Sequence, residues 1–270
     1  MEKAMKVPHF QLLENISSEV DADFKDTYMI CVQHLVASTV SLFNALFKKG
    51  LFPSHLSVIG KCYSTRPEAY AYMRQLGIDV AEESLCFSPN KPFDSDFRKT
   101  LKSFFLNRLT AFMNSKCSRL IILDDGGELL KIANRISLKQ RDLKKTVVGV
   151  EQTTAGYEKL KNLNLKFPIV NVARSNVKLF HESPFIAKIA AERMIEHLNK
   201  LKLYPKSALI IGNGAVGSHM YQEIKDLYRT QIYDQKYSKS SIRKLVLVQK
   251  SCVDVKSNFH LPNEGLRWQV

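Results

Sequence analysis

The sequence predicts an α/β protein in which a Rossmann-like parallel sheet is followed by a shortened nucleotide-binding unit. Two observations lead to this prediction. First, β-type runs and helix-like segments alternate from about Asp26 onward, which is the pattern of a parallel sheet flanked by helices. Second, the glycine-rich stretch G-N-G-A-V-G at 212–217 lies between a buried-strand pattern at 207–211 and a helix-like segment at 218–227. That order is typical of a dinucleotide-binding turn.

The first unit of the predicted sheet combines a strand at 27–34 with a helix at 36–49, which Gly50 can terminate. A loop at 88–96, rich in Ser, Pro, Asn and Asp, leads into a long helix that ends near Asn114. The remaining segments continue the alternation, with strands at 55–62, 119–123, 147–150 and 169–172 and helices at 67–76 and 129–136.

A long amphipathic helix at 184–201 is predicted to join the sheet to the glycine-rich unit. Ser183 is expected to be its N-cap, and Pro184 lies in its first turn. We therefore expect the domain boundary on this helix. The predicted division is a first domain at 1–183, a linking helix at 184–206 and a partial nucleotide domain at 207–270.

The composition is that of an ordinary globular protein, with 45% hydrophobic and 24% charged residues. The net charge of +14 comes from scattered Lys and Arg, so it favours a solvated surface over a nucleic-acid partner. The five cysteines are widely spaced without C-x-x-C, which favours reduced thiols over disulfides or zinc. Signal-peptide and membrane-span patterns are not found in the sequence, so we expect a cytoplasmic protein without a membrane partner.

The glycine-rich stretch predicts an NAD site. Gly212 permits the tight turn, Gly214 lets a pyrophosphate approach the backbone, and Gly217 lets helix and strand pack closely. Asp234 follows a second predicted strand at 230–233, at about the twenty-residue spacing where an acid binds the ribose hydroxyls of NAD. The alternative is a plain strand-to-helix turn with a solvated aspartate.

Polar turns follow three of the predicted strands and are expected to converge on one edge of the sheet. They are D-D-G-G-E at 124–128, E-Q-T-T-A-G at 151–156 and the stretch from Asn171 to Ser175. In open α/β sheets, ligands bind at the carboxyl ends of the strands. The alternative for the first turn is a charged turn with an aspartate as helix cap. Lys178 and Glu182 are four residues apart and can pair on a helix, although such pairs are usually surface ion pairs.

In these stretches the chain resembles the S-adenosylhomocysteine hydrolase (adenosylhomocysteinase) family. L-D-D-G-G-E-L at 123–129 resembles the family's L-D-D-G-G-D-L, and G-V-E-Q-T-T-A-G at 149–156 resembles its S-E-E-T-T-T-G. The order of the motifs is preserved over most of residues 27–235. Three shorter matches are Asn171-Val172 with Lys178 to N-V-N-D-S-V-T-K, Cys31-Val32-Gln33-His34 to C-L-H, and Tyr63-Ser64-Thr65 to F-S-T.

The resemblance implies NAD as cofactor and a nucleoside-type substrate. Members of the family oxidise the substrate ribose at its 3′ hydroxyl, which permits elimination of homocysteine before water adds and the ketone is reduced. In this chain, Lys178 is implied to hold that hydroxyl and Glu182 to tune the lysine. Further implied residues are Asp125 and His34 for proton transfer, Thr153 and Thr154 for the cofactor, and Gln152, Ser64 and Thr65 for the substrate.

The departures from the family pattern predict impaired catalysis. Gln152 replaces a glutamate and cannot accept a proton, and V-A-S-T at 36–39 replaces the T-V-E-T that helps to hold adenine. Ser183 stands where the family has asparagine. Residues 235–270 leave room for one more strand, at 245–248, but not for a complete dinucleotide domain.

We therefore expect an S-adenosylhomocysteine hydrolase-like NAD-binding protein with impaired catalysis. The alternative is an active NAD-dependent hydrolase of S-adenosylhomocysteine or a related nucleoside thioether, either as an abbreviated enzyme or with its missing half recruited from another polypeptide. In either case the shortened nucleotide domain is expected to offer a surface for a homo-oligomer or a different partner.

Overall fold

A computed structural model of the chain describes residues 5–88, 90, 93–136 and 146–234. The described residues form two compact units, one that ends at Ser175 and one that begins at Asn176. The first unit contains a parallel sheet flanked by helices, so the predicted α/β, Rossmann-like fold class is confirmed. Among the described residues, the helices are too short or too polar to cross a membrane.

The sheet of the first unit consists of six parallel strands: β1 (Thr27–Gln33), β2 (Leu56–Gly60), β3 (Asp79–Val80), β4 (Arg119–Asp124), β5 (Thr146–Glu151) and β6 (Ile169–Asn171). Their order across the sheet is β3-β2-β1-β4-β5-β6. This is the strand order of the doubly wound nucleotide-binding fold, and it reverses direction between β1 and β4. Ligands of such sheets bind beside that reversal, at the carboxyl ends of the strands.

Helices of the first unit cover both faces of this sheet. They are α1 (Gln11–Glu19), α2 (Ala37–Lys48), α3 (Pro67–Gln75), α4 (Phe93–Asn114), α5 (Glu128–Ile136) and α6 (Thr154–Leu160). Short 3₁₀ turns occur at Pro53–His55, Glu82–Leu85 and Val172–Arg174. The sequence did not predict α1, β3 or α6, because α1 has no buried residue, β3 has only two residues, and α6 begins inside a polar motif.

Two apolar clusters lie on opposite faces of the sheet. Strand β1 contributes to both, with Ile30 packing in one cluster and Met29 and Cys31 in the other. All seven residues of β1 are buried, as expected of a central parallel strand that is covered on both faces. The rigid centre of the sheet therefore holds the turns at its carboxyl edge in place.

The second unit contains a π-helical turn (Val177–Glu182), α7 (Ser183–Lys200), β7 (Ser207–Ile211), α8 (Ala215–Ile224) and β8 (Arg229–Tyr233). Strands β7 and β8 are parallel and in register over their full length. The predicted order of strand, glycine-rich turn, helix and strand is confirmed over these residues. The strand predicted at 245–248 lies outside the described residues.

The prediction that Ser183 is the N-cap of α7 is wrong. The π-helical turn runs directly into α7, so the residue before Ser183, Glu182, already has helical backbone angles (φ −73°, ψ −44°). The Ser183 hydroxyl instead donates to the carbonyl of Lys178 at 2.8 Å. A serine at the start of a helix can donate to a backbone carbonyl of the preceding turn and then does not cap the helix.

Candidate functional site

The polar turns after β4, β5 and β6 begin side by side at the carboxyl edge of the sheet. Asp124 is the register partner of Glu151, and Glu151 is the partner of Asn171. Since register partners in a parallel sheet lie on the same face, the three side chains form a row across adjacent strands. The row adjoins the reversal of strand order beside β4, where ligands of this fold bind.

Asp124 and Glu151 are buried carboxyl groups that bind the backbone of these turns. Asp124 Oδ2 accepts from the amide of Leu130 at 2.9 Å, in the first turn of α5. Glu151 Oε1 accepts from the amide of Gly126 at 3.2 Å and from the amide and hydroxyl of Thr153 at 2.8 and 2.7 Å. Both acids therefore support the shape of the edge.

Burial changes the ionisation of both of these acids. It raises the pKa of Asp124 to about 8, with the nearby Glu151 carboxyl as the second cause. Burial likewise raises the pKa of Glu151, against the lowering effect of its hydrogen bonds to Thr153. At neutral pH the pair therefore retains a proton that two exposed acids would lose.

Two glycines allow the first two turns to touch. A Cβ added to Gly127, whose φ is +75°, would lie 2.7 Å from the Cα of Gly156. A Cβ added to Gly156 would lie 2.1 Å from a carboxylate oxygen of Glu151. Any side chain at either position would push the turns apart, which gives a physical reason for the D-D-G-G and T-T-A-G patterns.

His34, Ser64 and Asp125 meet at the reversal of strand order. Nε2 of His34 lies 3.7 Å from Oδ1 of Asp125, and Nδ1 of the same ring is hydrogen-bonded to the hydroxyl of Ser64. Lys61, in the turn after β2, forms an ion pair with the same oxygen of Asp125. The cluster brings together a proton acceptor, a hydroxyl and a charge pair at the edge where a ligand of this fold would bind.

Lys61 was not among the site residues predicted from the sequence. Its position directly after β2 was a usable signal, because β2 lies next to β1 and ends at the same edge as His34. The side chain is only 13% exposed, and its partner Asp125 is 18% exposed. An ion pair this well covered holds both side chains in a fixed geometry more firmly than a surface pair does.

His34 is held neutral by its surroundings. Burial lowers the pKa of His34 most, Lys61 lowers it further, and the carboxylate of Asp125 raises it. A neutral imidazole can accept a proton at physiological pH, so the environment suits a general base.

Gln152 is bound within the protein. Its side-chain oxygen accepts a hydrogen bond from the side-chain amide of Gln33, the buried last residue of β1. Gln33 was not predicted as a site residue. A polar residue at the end of an otherwise apolar central strand is nevertheless a recognisable sign of a role at the edge of the sheet. This bond joins the turn after β5 to the end of β1, across the turn after β4.

The remaining residues predicted in the first unit differ in their surroundings. The Thr153 hydroxyl caps α6 by accepting from the amide of Gly156 at 3.0 Å and also donates to Glu151. Thr154, the first residue of α6, is exposed. Thr65 donates to the carbonyl of Lys61 at 3.2 Å. Thr153 and Thr65 therefore support the turns in this structure, and Thr154 has its side chain open to solvent.

In the second unit, Lys178 and Glu182 form an ion pair, with Lys178 Nζ 2.7 Å from Glu182 Oε1. Both side chains are about one-third exposed, at 31% and 39%. The pair lies on the π-helical turn, and π-helical segments occur frequently at functional sites. The four residues implied in catalysis are thus divided, with His34 and Asp125 in the first unit and Lys178 and Glu182 in the second.

The glycine-rich turn connects β7 to α8. Gly212 has a φ of +106°, which favours glycine, and its amide donates to the Tyr233 carbonyl at 2.7 Å. A Cβ added to Gly214 would meet no atom within 4 Å, whereas one added to Gly217 would lie 1.9 Å from the Gly212 carbonyl oxygen. The backbone at Gly214 is open, and the packing at Gly217 requires glycine.

Asp234 is bonded to the glycine-rich turn itself. Its Oδ2 accepts from the backbone amide of Asn213 at 2.6 Å. The acid at the end of β8 therefore orients the turn after β7 through one of its oxygens.

Comparison with known proteins shows a partial similarity to an adenosylhomocysteinase. No protein-family model matches the chain. The chain is 34% identical, over 229 residues, to uncharacterized proteins from two strains of Mycobacterium tuberculosis, an alignment that covers 84% of this chain and 44% of each relative. It is 30% identical, over 110 residues, to the adenosylhomocysteinase of Acinetobacter baylyi, covering 39% of this chain and 23% of that enzyme. The chain thus spans less than half the length of these curated relatives.

Proposed function

We propose that this chain is an S-adenosylhomocysteine hydrolase-like protein that binds NAD and a nucleoside-type small molecule, with impaired catalysis. The observation that carries the proposal is the meeting of His34 and Asp125, 3.7 Å apart, at the reversal of a β3-β2-β1-β4-β5-β6 sheet. Both residues come from motifs that resemble that family, and this edge is where ligands bind in this fold. The partial similarity to the Acinetobacter baylyi adenosylhomocysteinase supports the same assignment.

NAD binding is proposed for the second unit. The turn between β7 and α8 offers an open backbone at Gly214 and the N-terminus of a helix, both of which suit a pyrophosphate. Asp234 is tied to the turn at 2.6 Å and supplies a carboxylate for the ribose hydroxyls of the adenosine half. We expect this binding to be weak and reversible, because the proposed contacts are all to the ADP half of the cofactor.

Impaired catalysis is supported by the contacts of three residues. Gln152 cannot take a proton, and its oxygen is bonded to Gln33. Asp125 is in an ion pair with Lys61, which competes with any proton that the carboxylate would accept. The hydroxyl of Thr39, in the segment that replaces the family's adenine contacts, donates to the carbonyl of His34.

The test is to denature purified protein, analyse the released nucleotides, and then titrate nucleotide-free protein calorimetrically with NAD and with S-adenosylhomocysteine. We expect substoichiometric co-purifying NAD and measurable, reversible binding of both compounds. Tightly held stoichiometric NAD would contradict the proposed weakness. Absence of binding for both compounds would refute the proposed function.

A second candidate function is an active NAD-dependent hydrolase of S-adenosylhomocysteine or a related nucleoside thioether, either as an abbreviated enzyme or completed by a partner chain. The specific observation in its favour is the pair of Lys178 and Glu182 at 2.7 Å, on the π-helical turn that leads into α7. A homo-oligomer or a different partner would contribute the contacts of the nicotinamide half. Size measurement by light scattering, with and without NAD, would test for self-association of the chain.

A further inference from the structure

His34 lies between a hydroxyl and a carboxylate that make opposite demands on its ring. Nδ1 faces the hydroxyl of Ser64, and Nε2 faces Oδ1 of Asp125 at 3.7 Å. Lys61 forms an ion pair with that same Oδ1 and contributes its own backbone carbonyl 3.1 Å from the Ser64 hydroxyl. One lysine therefore contacts both ends of a chain that runs from Ser64 through His34 to Asp125.

We propose that Lys61 is a positioning residue that, through its ion pair with Asp125, fixes neutral His34 in the tautomer with its proton on Nε2 and leaves Nδ1 to accept the proton of Ser64. This inference rests on the proposed function, because it assigns the proton path of the same site. Lys61 acts through Asp125 and His34 and does not itself transfer a proton.

The tautomer follows from counting protons. An aspartate paired with a lysine ammonium is a carboxylate at neutral pH and can only accept a hydrogen bond. The carboxylate therefore favours the tautomer in which Nε2, the ring nitrogen that faces it at 3.7 Å, carries the proton. A neutral imidazole has one such proton, so Nδ1 is an acceptor and the bond to Ser64 requires the hydroxyl to donate.

Ser64 has a second acceptor available, which makes the arrangement bistable. Its single proton can point to Nδ1 of His34 or to the Lys61 carbonyl at 3.1 Å. Without a carboxylate held beside Nε2 of His34, the Nδ1-protonated tautomer would become accessible with Ser64 turned to the carbonyl. Lys61 selects the first state by holding Oδ1 of Asp125 near Nε2.

The selected state gives a complete proton path at the ligand-binding edge. A ligand hydroxyl can pass its proton to the Ser64 oxygen as the Ser64 proton moves to Nδ1 of His34. The charge of the resulting imidazolium is then stabilised by the Asp125 carboxylate, which lies 3.7 Å from Nε2. The number of protons is conserved, and the ligand is left as an alkoxide.

Besides the Ser64 hydroxyl, three groups face the His34 ring from the elements around it. Asp125 comes from the turn after β4 and Lys61 from the turn after β2, while the ring of Tyr63 packs edge-on with its centroid 5.8 Å away. Burial and Lys61 lower the pKa of His34, and Asp125 raises it. Removing the lysine charge alone should therefore raise the pKa of His34.

The test is nitrogen-15 NMR of the histidine side chains in the full chain, with Lys61→Met compared with the charge-retaining control Lys61→Arg. His34→Gln identifies the signals of His34 among the seven histidines. We expect the Nε2-protonated tautomer in the unmodified protein and in Lys61→Arg. In Lys61→Met we expect the pKa of His34 to rise by roughly one unit, the size of shift that one neighbouring charge produces.

Two results would overturn the proposal: an Nδ1-protonated tautomer in the unmodified protein, or a Lys61→Met protein whose His34 tautomer and pKa are unchanged. Ser64→Ala provides a second variant that leaves the ion pair in place and should keep the Nε2 tautomer. Failure of the proposed function would be visible separately, because the NMR measurement needs no ligand. The expected tautomer without binding of NAD or S-adenosylhomocysteine would support the positioning role and refute the function.

Discussion

At the scale of single residues, Asp124 and Glu151 link the shape of the site edge to pH. The pKa of Asp124 is raised to about 8 in the folded chain, above its value in an unfolded chain. Between about pH 4 and 8 the folded state thus holds a proton that the unfolded state has lost. This carboxyl therefore makes the folded state less stable as the pH rises through that window.

The first prediction is that Asp124→Asn reduces this pH dependence. An amide oxygen can still accept from the Leu130 amide but cannot ionise, so the variant should lose less stability than the unmodified protein between pH 5 and 8. The difference in slope is at most about 1.4 kcal/mol per pH unit for one proton. Urea unfolding across that range measures it. Asp125→Asn, at a more exposed neighbouring carboxylate, is the matched control, and equal slopes in both variants would contradict the prediction.

Asp234 is the residue to which we assign cofactor selectivity in the proposed NAD site. A carboxylate at the end of β8 can hydrogen-bond the free 2′ hydroxyl of NAD and repels the 2′ phosphate of NADP. The second prediction is that NAD binds more tightly than NADP and that Asp234→Ala weakens NAD binding by about 1.5–3 kcal/mol, the range for a hydrogen bond to a charged group. Calorimetric titration with both nucleotides measures this.

Asp234→Asn is the control, since its side-chain oxygen can still accept from the Asn213 amide while the charge is removed. We expect this variant to bind NADP better than the unmodified protein does, with the glycine-rich turn intact. Equal affinity of the unmodified protein for NAD and NADP would show that the carboxylate does not face the ribose.

At the scale of elements, Gly214 and Gly217 make separable contributions to the strand–turn–helix unit. A Cβ on Gly214 would enter open space, and its φ of −79° is accessible to alanine. A Cβ on Gly217 would collide with the Gly212 carbonyl. The third prediction is that Gly214→Ala keeps the fold but loses NAD binding, because the methyl group occupies the path of the pyrophosphate.

Gly217→Ala should lose both folding stability and NAD binding, with a cost of about 1–3 kcal/mol as for other overpacked positions. Thermal unfolding followed by circular dichroism, together with titration of NAD, separates the two variants. Unchanged NAD affinity in Gly214→Ala would mean that no phosphate approaches the backbone there.

The sequence was sufficient to predict most of the regular elements because their apolar periodicity is strong. The buried runs of β1 and β4 and the bounds of β7 are such cases, with β7 at 207–211 as predicted. The order of strands across the sheet was not predicted, since periodicity carries no information on which strands are neighbours. Helix α1 was missed because its apolar residues are exposed on a short helix.

The site was predictable only in part, for a related reason. Asp125 and His34 were predicted as site residues because they belong to recognisable motifs. Lys61 and Gln33 were missed because their importance comes from long-range contacts, with Asp125 and Gln152 respectively, that arise only when β1, β2, β4 and β5 come together. The burial of Glu151 and its bonds to its own turn were likewise not predicted.

At the scale of the whole molecule, the residues implied in catalysis belong to two units. His34 and Asp125 are in the first, and Lys178 and Glu182 are in the second. The resemblance implies that all four act on one substrate, so any rate depends on how well they are placed. Well-oriented reactants gain about 7 to 11 kcal/mol from placement, so retained acids and bases without correct placement give little rate.

The fourth prediction follows from this requirement: hydrolysis of S-adenosylhomocysteine is absent or far below that of the family, even with NAD supplied. The substituted adenine segment and Gln152 weaken placement of the nucleoside, and Lys61 engages the carboxylate of Asp125. The assay supplies NAD and S-adenosylhomocysteine and measures free homocysteine thiol, with Lys178→Ala as the control. Robust thiol release that disappears in Lys178→Ala would establish an active hydrolase, because only a reaction that uses the lysine at the ribose would depend on it.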